Sequence, residues 1–311
     1  MTNAGKVPTG ILGFPTAPLT KEGTIDAKAL AENIDFLINE GLSSIFIACG
    51  SGEFHAISRA EYQKMVETAL ETANKRVPVY TGVGGNITDA VELVKLSEEL
   101  GADGYLILPP YLINGEQEGL YHYYKTIVES SNLNAILYNR DNAIIQLETL
   151  QRLVDEFPQI VGLKDGYGNM ELNLELVQTI GDRLEWLNGM PFAEITMPAY
   201  AAIGFNSYSS AMSNYMPHIS RLYYDALLEG NHKLVREIYV DVLLPINRIR
   251  KARNGYAVSL IKAGMEIQGF PVANAVRPPC IAVEKEHYEE LKAIIADTLE
   301  KYPAPHKEHS K

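Results

Sequence analysis

The chain has 311 residues, of which 46% are hydrophobic and 21% charged, the balance of a globular protein with room for a sizeable core. Its formal net charge of −12 argues against a nucleic-acid partner, because backbone binding needs clustered Lys and Arg. Two cysteines, Cys49 and Cys280, make no disulfide framework and suit a reducing cytoplasm; the opening residues lack a secretory pattern, and no apolar run reaches the roughly 18 residues of a membrane span.

Strand and helix patterns alternate from the start. A strand over 11–19 precedes a helix in which Leu30, Ile34, Leu37 and Ile38 share one face and Gly41 supplies the stop. A strand over 43–49 leads to a helix that opens on Ser58 and Glu61, a capping-box spacing. A strand over 77–84 is followed by a helix ending at Gly101. Strands over 104–110 and 134–139 come next, then "ETLQRLVDEF", which must halt before Pro158. Strands over 160–166, 184–190 and 205–211 complete the set, and a last helix stops at Gly230.

Each strand is dense in apolar residues rather than alternating, the pattern of parallel strands covered on both faces. Eight strands alternating with eight helices predict a (β/α)8 TIM barrel over 8–230, an α/β fold that carries its chemistry at the C-terminal ends of the strands. An open doubly wound sheet is the competitor, but no Gly-x-Gly-x-x-Gly opens the first helix. After Gly230 the strand pattern stops. Helix patterns over 232–254, 256–269 and 285–302 predict a C-terminal helical region, 231–303, followed by a polar tail, 304–311. Its apolar residues need a barrel flank or a second subunit to cover.

The strand-end rule selects a short set of residues. Lys164, in "VGLKDG", sits at the exit of an apolar strand, where an ammonium is costly unless paired or used. Asp165 or an acidic helix residue is its plain structural partner. The chemical alternative is a Schiff-base lysine, since burial yields a neutral amine able to attack a ketone. Tyr138, at the end of the neighbouring strand, can relay protons during imine formation, or it is a core tyrosine. Gly50, Ser51 and Gly52 form a tight turn whose N–H groups suit a carboxylate, or simply turn the chain. Arg140 can grip a carboxylate in bidentate fashion, with Asp141 as its plain partner. Asn139, Gly189, Ser209 and Ser210 stand at other strand ends; the two serines fit substrate contact and small-residue packing equally. No Cys/His cluster has metal spacing, so no metal is expected.

Lys164, Tyr138 and the 50–53 turn, with "QEGLY" (117–121) and "ILYN" (136–139), resemble the dihydrodipicolinate synthase/N-acetylneuraminate lyase family over roughly 8–300. The resemblance implies an imine on Lys164, a proton-relay role for Tyr138, and a carboxylate loop containing Ser51. Two features depart from the synthases. Gly50 and Ser51 stand where they carry paired threonines, and Leu112 replaces a tyrosine that reaches a neighbouring subunit. One branch, the 5-dehydro-4-deoxyglucarate dehydratases, is similar in "GSGEF", "PPYL", "YNRDN", "KDG" and "YSSA". This resemblance implies a decarboxylating hydro-lyase of glucarate or galactarate catabolism. It would act on a sugar keto diacid with no cofactor beyond the covalent imine, as a cytoplasmic homo-oligomer (dimer or tetramer) with neither nucleic acid nor membrane as partner. Gly50, Ser51, Gly52, Asn139, Arg140, Gly189, Ser209 and Ser210 would bind the substrate. A class I aldolase releasing pyruvate and a non-catalytic keto-acid sensor are the alternatives.

Overall fold

The computed structural model describes residues 7–272 and 275–304; the remainder, including 305–311 of the polar tail, lies outside the described residues. Eight parallel strands close into a barrel in chain order. They are β1 (Gly10–Gly13), β2 (Ile45–Ile47), β3 (Val79–Gly85), β4 (Gly104–Pro110), β5 (Asn134–Asn139), β6 (Ile160–Asp165), β7 (Glu185–Asn188) and β8 (Ser207–Ser210). Eight helices alternate with them: α1 (Ala27–Asn39), α2 (Arg59–Ala73), α3 (Ile87–Leu100), α4 (Gln117–Val128), α5 (Leu147–Glu156), α6 (Met170–Ile180), α7 (Ala193–Ala202) and α8 (Pro217–Leu228). Then come α9 (His232–Ile238), α10 (Leu244–Ala252), α11 (Tyr256–Ile267) and α12 (Lys285–Lys301).

The helix ends follow their local chemistry. Asp26, Asn86 and Asn169 each accept a backbone N–H three residues on, and Ser58 with Glu61 forms the reciprocal capping box of α2. Gly101 ends α3 with φ 89°, a left-handed conformation that glycine adopts without Cβ strain.

Two expectations change. The strand expected over 11–19 stops at Gly13, because Pro15 and Pro18 have no N–H to extend a ladder; residues beyond it cross the barrel end, where Asn214 Nδ2 donates to Phe14 O at 3.2 Å. The helix expected over 232–254 divides into α9, a wider π turn at Tyr239–Leu243, and α10. Pro245, in the first turn of α10, cannot supply the backbone bond that a continuous α-helix needs there.

Three apolar clusters hold the fold. The largest fills the layer between the sheet and its surrounding helices. A second, inside the barrel, contains Leu12, Phe14, Phe46, Tyr80, Leu106 and Leu187. Phe14 and Phe46 stack there with centroids 4.5 Å apart. The third joins the C-terminal helices to the last barrel unit: Ile238, Ile246, Leu260 and Leu291 pack with Tyr215, Ile219 and Tyr223. No described helix is long and apolar enough to cross a membrane.

The interior leaves little slack. A Cβ on Gly104 would lie 2.6 Å from Asn134 O and closer still to the Tyr80 ring. Gly104→Ala is therefore expected to lower unfolding free energy by about 2 kcal/mol, as overpacking of a close-packed interior does. Equilibrium urea unfolding checks this, and an unchanged midpoint would mean that the Tyr80 ring yields freely.

Candidate active site

The register of β5 and β6 places Tyr138 beside Lys164 and Asn139 beside Asp165. Alternation then sends the first pair into the barrel and the second toward the helices. Lys164 is 5% exposed, with its Nζ 4.0 Å from the Phe14 ring centroid and 4.6 Å from that of Tyr138. Asp165 is not its partner. That carboxylate faces outward, accepting from Gly168 N, from Asn173 Nδ2 at 2.9 Å and from the Tyr200 hydroxyl.

Burial pulls the Lys164 ammonium down to about 7. Cys49 offers no relief. Its thiol is buried beside the lysine and pushed up to about 12, so it carries no charge at neutral pH. The lysine is thus a neutral amine for a substantial fraction of the time near pH 7. Gly189 makes space for it: a Cβ there would lie 2.5 Å from the lysine stem.

The Tyr138 hydroxyl donates to Gly189 O at 3.0 Å and accepts from Arg140 Nη1 at 3.1 Å. Burial raises the phenol above its ordinary range, and the Arg140 cation opposes that shift. Arg140 also donates to Asp141 at 3.2 Å, its expected plain partner.

Lys164, Tyr138, Arg140, Gly50, Ser51, Gly189, Ser209 and Ser210 all border one cavity of about 380 Å³ at the C-terminal ends of the strands. That volume suits a small organic acid. Three expected residues stand differently. Gly52 is buried behind the turn, where a Cβ would sit 3.1 Å from Ala48 Cα. Asn139 does not reach the cavity: by alternation it faces the helices, where its Oδ1 accepts from Ile145 N at 3.0 Å. Ser210 borders the cavity, but its hydroxyl donates to Glu194 Oε1 at 2.5 Å and accepts from Ser213 on the helix side of β8.

Other wall residues were not singled out from the sequence. Phe14 lies under the lysine, His55 stands at the rim, and Ala257, Val258 and Ile261 of α11 close one side. The α11 residues carry a usable signal, since positions 257, 258 and 261 lie on one helical face. Among the described residues, no group of three or more His, Cys, Asp and Glu side chains is placed to hold a metal ion.

The lysine ties the site to stability. Folded Lys164 loses its proton near pH 7, whereas its ordinary value is 10.5. Between those values the unfolded chain binds more protons, so this residue makes stability rise with pH by ~1.4 kcal/mol per unit. Below about pH 7 the whole penalty is present. Lys164→Met is expected to be more stable than the parent, by most near pH 6 and by progressively less toward pH 10. A pH-independent difference in denaturant titrations would show that the folded lysine keeps its proton.

A profile of the Dihydrodipicolinate synthetase family matches residues 7–298. The chain is 63% identical over 303 residues to a probable 5-dehydro-4-deoxyglucarate dehydratase of Bacillus licheniformis, covering 97% of this chain and 98% of that one. A protein of the same name from Bacillus subtilis is 62% identical over 303 residues, with the same coverage. Among solved structures, dihydrodipicolinate synthase from Oceanobacillus iheyensis superposes with a TM-score of 0.86 at 26% identity, over 93% of this chain and 96% of that one. With the barrel, the strand-end lysine and these matches together, the chain belongs to the dihydrodipicolinate synthetase family.

Proposed function

We propose that the protein dehydrates and decarboxylates 5-dehydro-4-deoxyglucarate to 2,5-dioxopentanoate, carbon dioxide and water through an imine on Lys164. The observation that carries this reading is a buried lysine with no counter-ion among the described residues, lowered to about 7, beside a tyrosine hydroxyl in a cavity of acid-sized volume. The name borne by the relatives supplies the substrate.

The neutral amine attacks the substrate ketone. Tyr138 gives its proton to the carbinolamine hydroxyl, which leaves as water, and Arg140 stabilises the resulting phenolate. The protonated imine makes the adjacent methylene acidic, and the phenolate takes that proton to give an enamine. The enamine electron pair then expels the hydroxyl one carbon further on, protonated by Tyr138, and leaves an iminium conjugated with a new C=C bond. Electrons of the bond to the distal carboxylate flow into this sink as carbon dioxide departs. Reprotonation and hydrolysis release the dicarbonyl product and free the amine. The iminium nitrogen is the electron sink, so the sequence of steps calls for no metal or nucleotide.

Ser51 and the turn around it seat the carboxylate next to the ketone, and Arg140 faces the distal half of the substrate with Ser209 nearby. Gly189 leaves room for the lysine and holds Tyr138. Asn139 and Gly52 act behind the wall by fixing the strand and turn that border the cavity, and Ser210, at its edge, ties β8 to Glu194.

Purified protein incubated with the keto diacid should release carbon dioxide and 2,5-dioxopentanoate in equal amounts. Pyruvate without carbon dioxide would assign an aldolase instead, and ligand-dependent thermal stabilisation without turnover would favour a sensor. Lys164→Ala should abolish turnover while remaining folded; Tyr138→Phe should lower kcat by about a hundredfold or more.

The chain is also read as a cytoplasmic homo-oligomer. Tyr111, Leu112 and Ile113 form an apolar loop tip, 72%, 78% and 67% exposed, which a second subunit would cover. Leu112→Asp is expected to shift the species seen by light scattering toward monomer. An unchanged mass would place the subunit contact elsewhere.

A further inference from the structure

We propose that a buried ion pair between Glu53 and Lys262 positions the 50–53 turn as the seat of the substrate carboxylate, so that the C-terminal helices set the acid affinity of a site built on the barrel. The proposal rests on the imine reading of Lys164.

Glu53 follows Gly50, Ser51 and Gly52 and is 1% exposed; Lys262, on α11, is fully buried. Lys262 Nζ donates to Glu53 Oε1 and, at 2.7 Å, to Ala275 O. The other carboxylate oxygen, Glu53 Oε2, accepts from Arg277 N at 2.8 Å. Both oxygens are therefore engaged by groups that lie more than 200 residues away in sequence. The Arg277 guanidinium continues the strap: it donates to Ala56 O at 2.8 Å, to Gly23 O at 2.7 Å and to Glu61 in the first turn of α2.

The turn needs such a hold. Ala48, two residues before it, and Glu53, its last residue, have φ of 53° and 54°, left-handed conformations that non-glycine residues adopt only when their surroundings impose them. Released from Lys262 and Arg277, Glu53 would relax toward ordinary backbone angles and shift Gly50 and Ser51, which border the cavity. Lys262 also directly follows Ile261, which borders the cavity. One helix thus provides an apolar wall and the cation that locks the polar wall. Glu53 and Lys262 touch no substrate in this scheme; they are positioning residues.

Borohydride trapping on the full-length protein tests this, with pyruvate as the acid probe and pyruvamide as its uncharged counterpart. Mass spectrometry reads the concentration of each that half-modifies Lys164. The parent is expected to prefer pyruvate. In Glu53→Gln that preference should fall tenfold or more, while pyruvamide trapping stays within about twofold. The double variant Glu53→Gln/Lys262→Met leaves no unpaired buried charge to unfold the chain, and it should show the same loss. A lower melting temperature with the preference intact in both variants would make the pair purely structural and overturn the proposal. Absence of trapping by the parent would overturn the imine reading, and the positioning role with it.

Discussion

Tyr138 and Lys164 stand side by side inside the barrel because β5 and β6 pair in that register. A slip of one residue in β6 would turn Lys164 out to the helices and bring Asp165 in, replacing an unpaired amine with a carboxylate. The register is anchored on both sides. Outward, Asp165 binds two N–H groups of the loop leading to α6, Asn173 on that helix and Tyr200 on α7. Inward, the lysine stem fits only because position 189 lacks a Cβ. The acid next to the lysine in sequence therefore serves the lysine by holding its strand, not by neutralising it.

This arrangement works against stability. A buried cation without a counter-ion costs free energy, and a deprotonated amine avoids most of that cost only where the pH allows. The surroundings make the neutral form the comfortable one: an aromatic floor at Phe14, a thiol at Cys49 that stays protonated, and a guanidinium at Arg140 that disfavours a second positive charge. The chain offsets the cost elsewhere, in a continuous apolar layer between sheet and helices and in a packed barrel interior. The same logic places Glu194. Burial raises its carboxyl to about 7, and the Ser210 hydroxyl and Met212 N, rather than a cation, donate to it behind β8.

Much of this was legible in the sequence because it is local. Apolar strand runs, Ser58 with Glu61, and the glycines that stop helices each act over a few residues, and together they specify eight βα units. Lys164 and Tyr138 were legible as strand-end residues. Which way a side chain faces was not. Asn139 follows Tyr138 and Ser210 follows Ser209, and in each pair the second member makes its side-chain bonds on the helix side, yet a motif such as "YNRDN" or "YSSA" names both. β1 is shorter than the apolar run suggests because the two prolines of "FPTAPL" cannot extend its ladder. The hardest part was long-range: no local pattern joins Glu53 to Lys262 and Arg277, since their meeting depends on how the last helices return over the barrel.

That return explains why the chain continues past the eighth unit. The orientation of α11 is set on several faces at once. Gly264 lies so close to the Tyr215 ring that a Cβ would come within 2.8 Å of it. Lys262 reaches the barrel turn, and the Tyr256 hydroxyl accepts from Glu284 N at 2.9 Å at the start of α12. Residues 257, 258 and 261 are then left to face the cavity. A rotation of α11 by one residue, about 100°, would break all of these contacts and open the wall together. The barrel supplies the amine of Lys164, the phenol of Tyr138 and the 50–53 turn at its strand ends. Those ends alone form an open rim, and the helix laid against it, fixed by its own packing, closes one side of the cavity. Burial keeps water from the lysine, which lowers its proton affinity and favours the neutral amine.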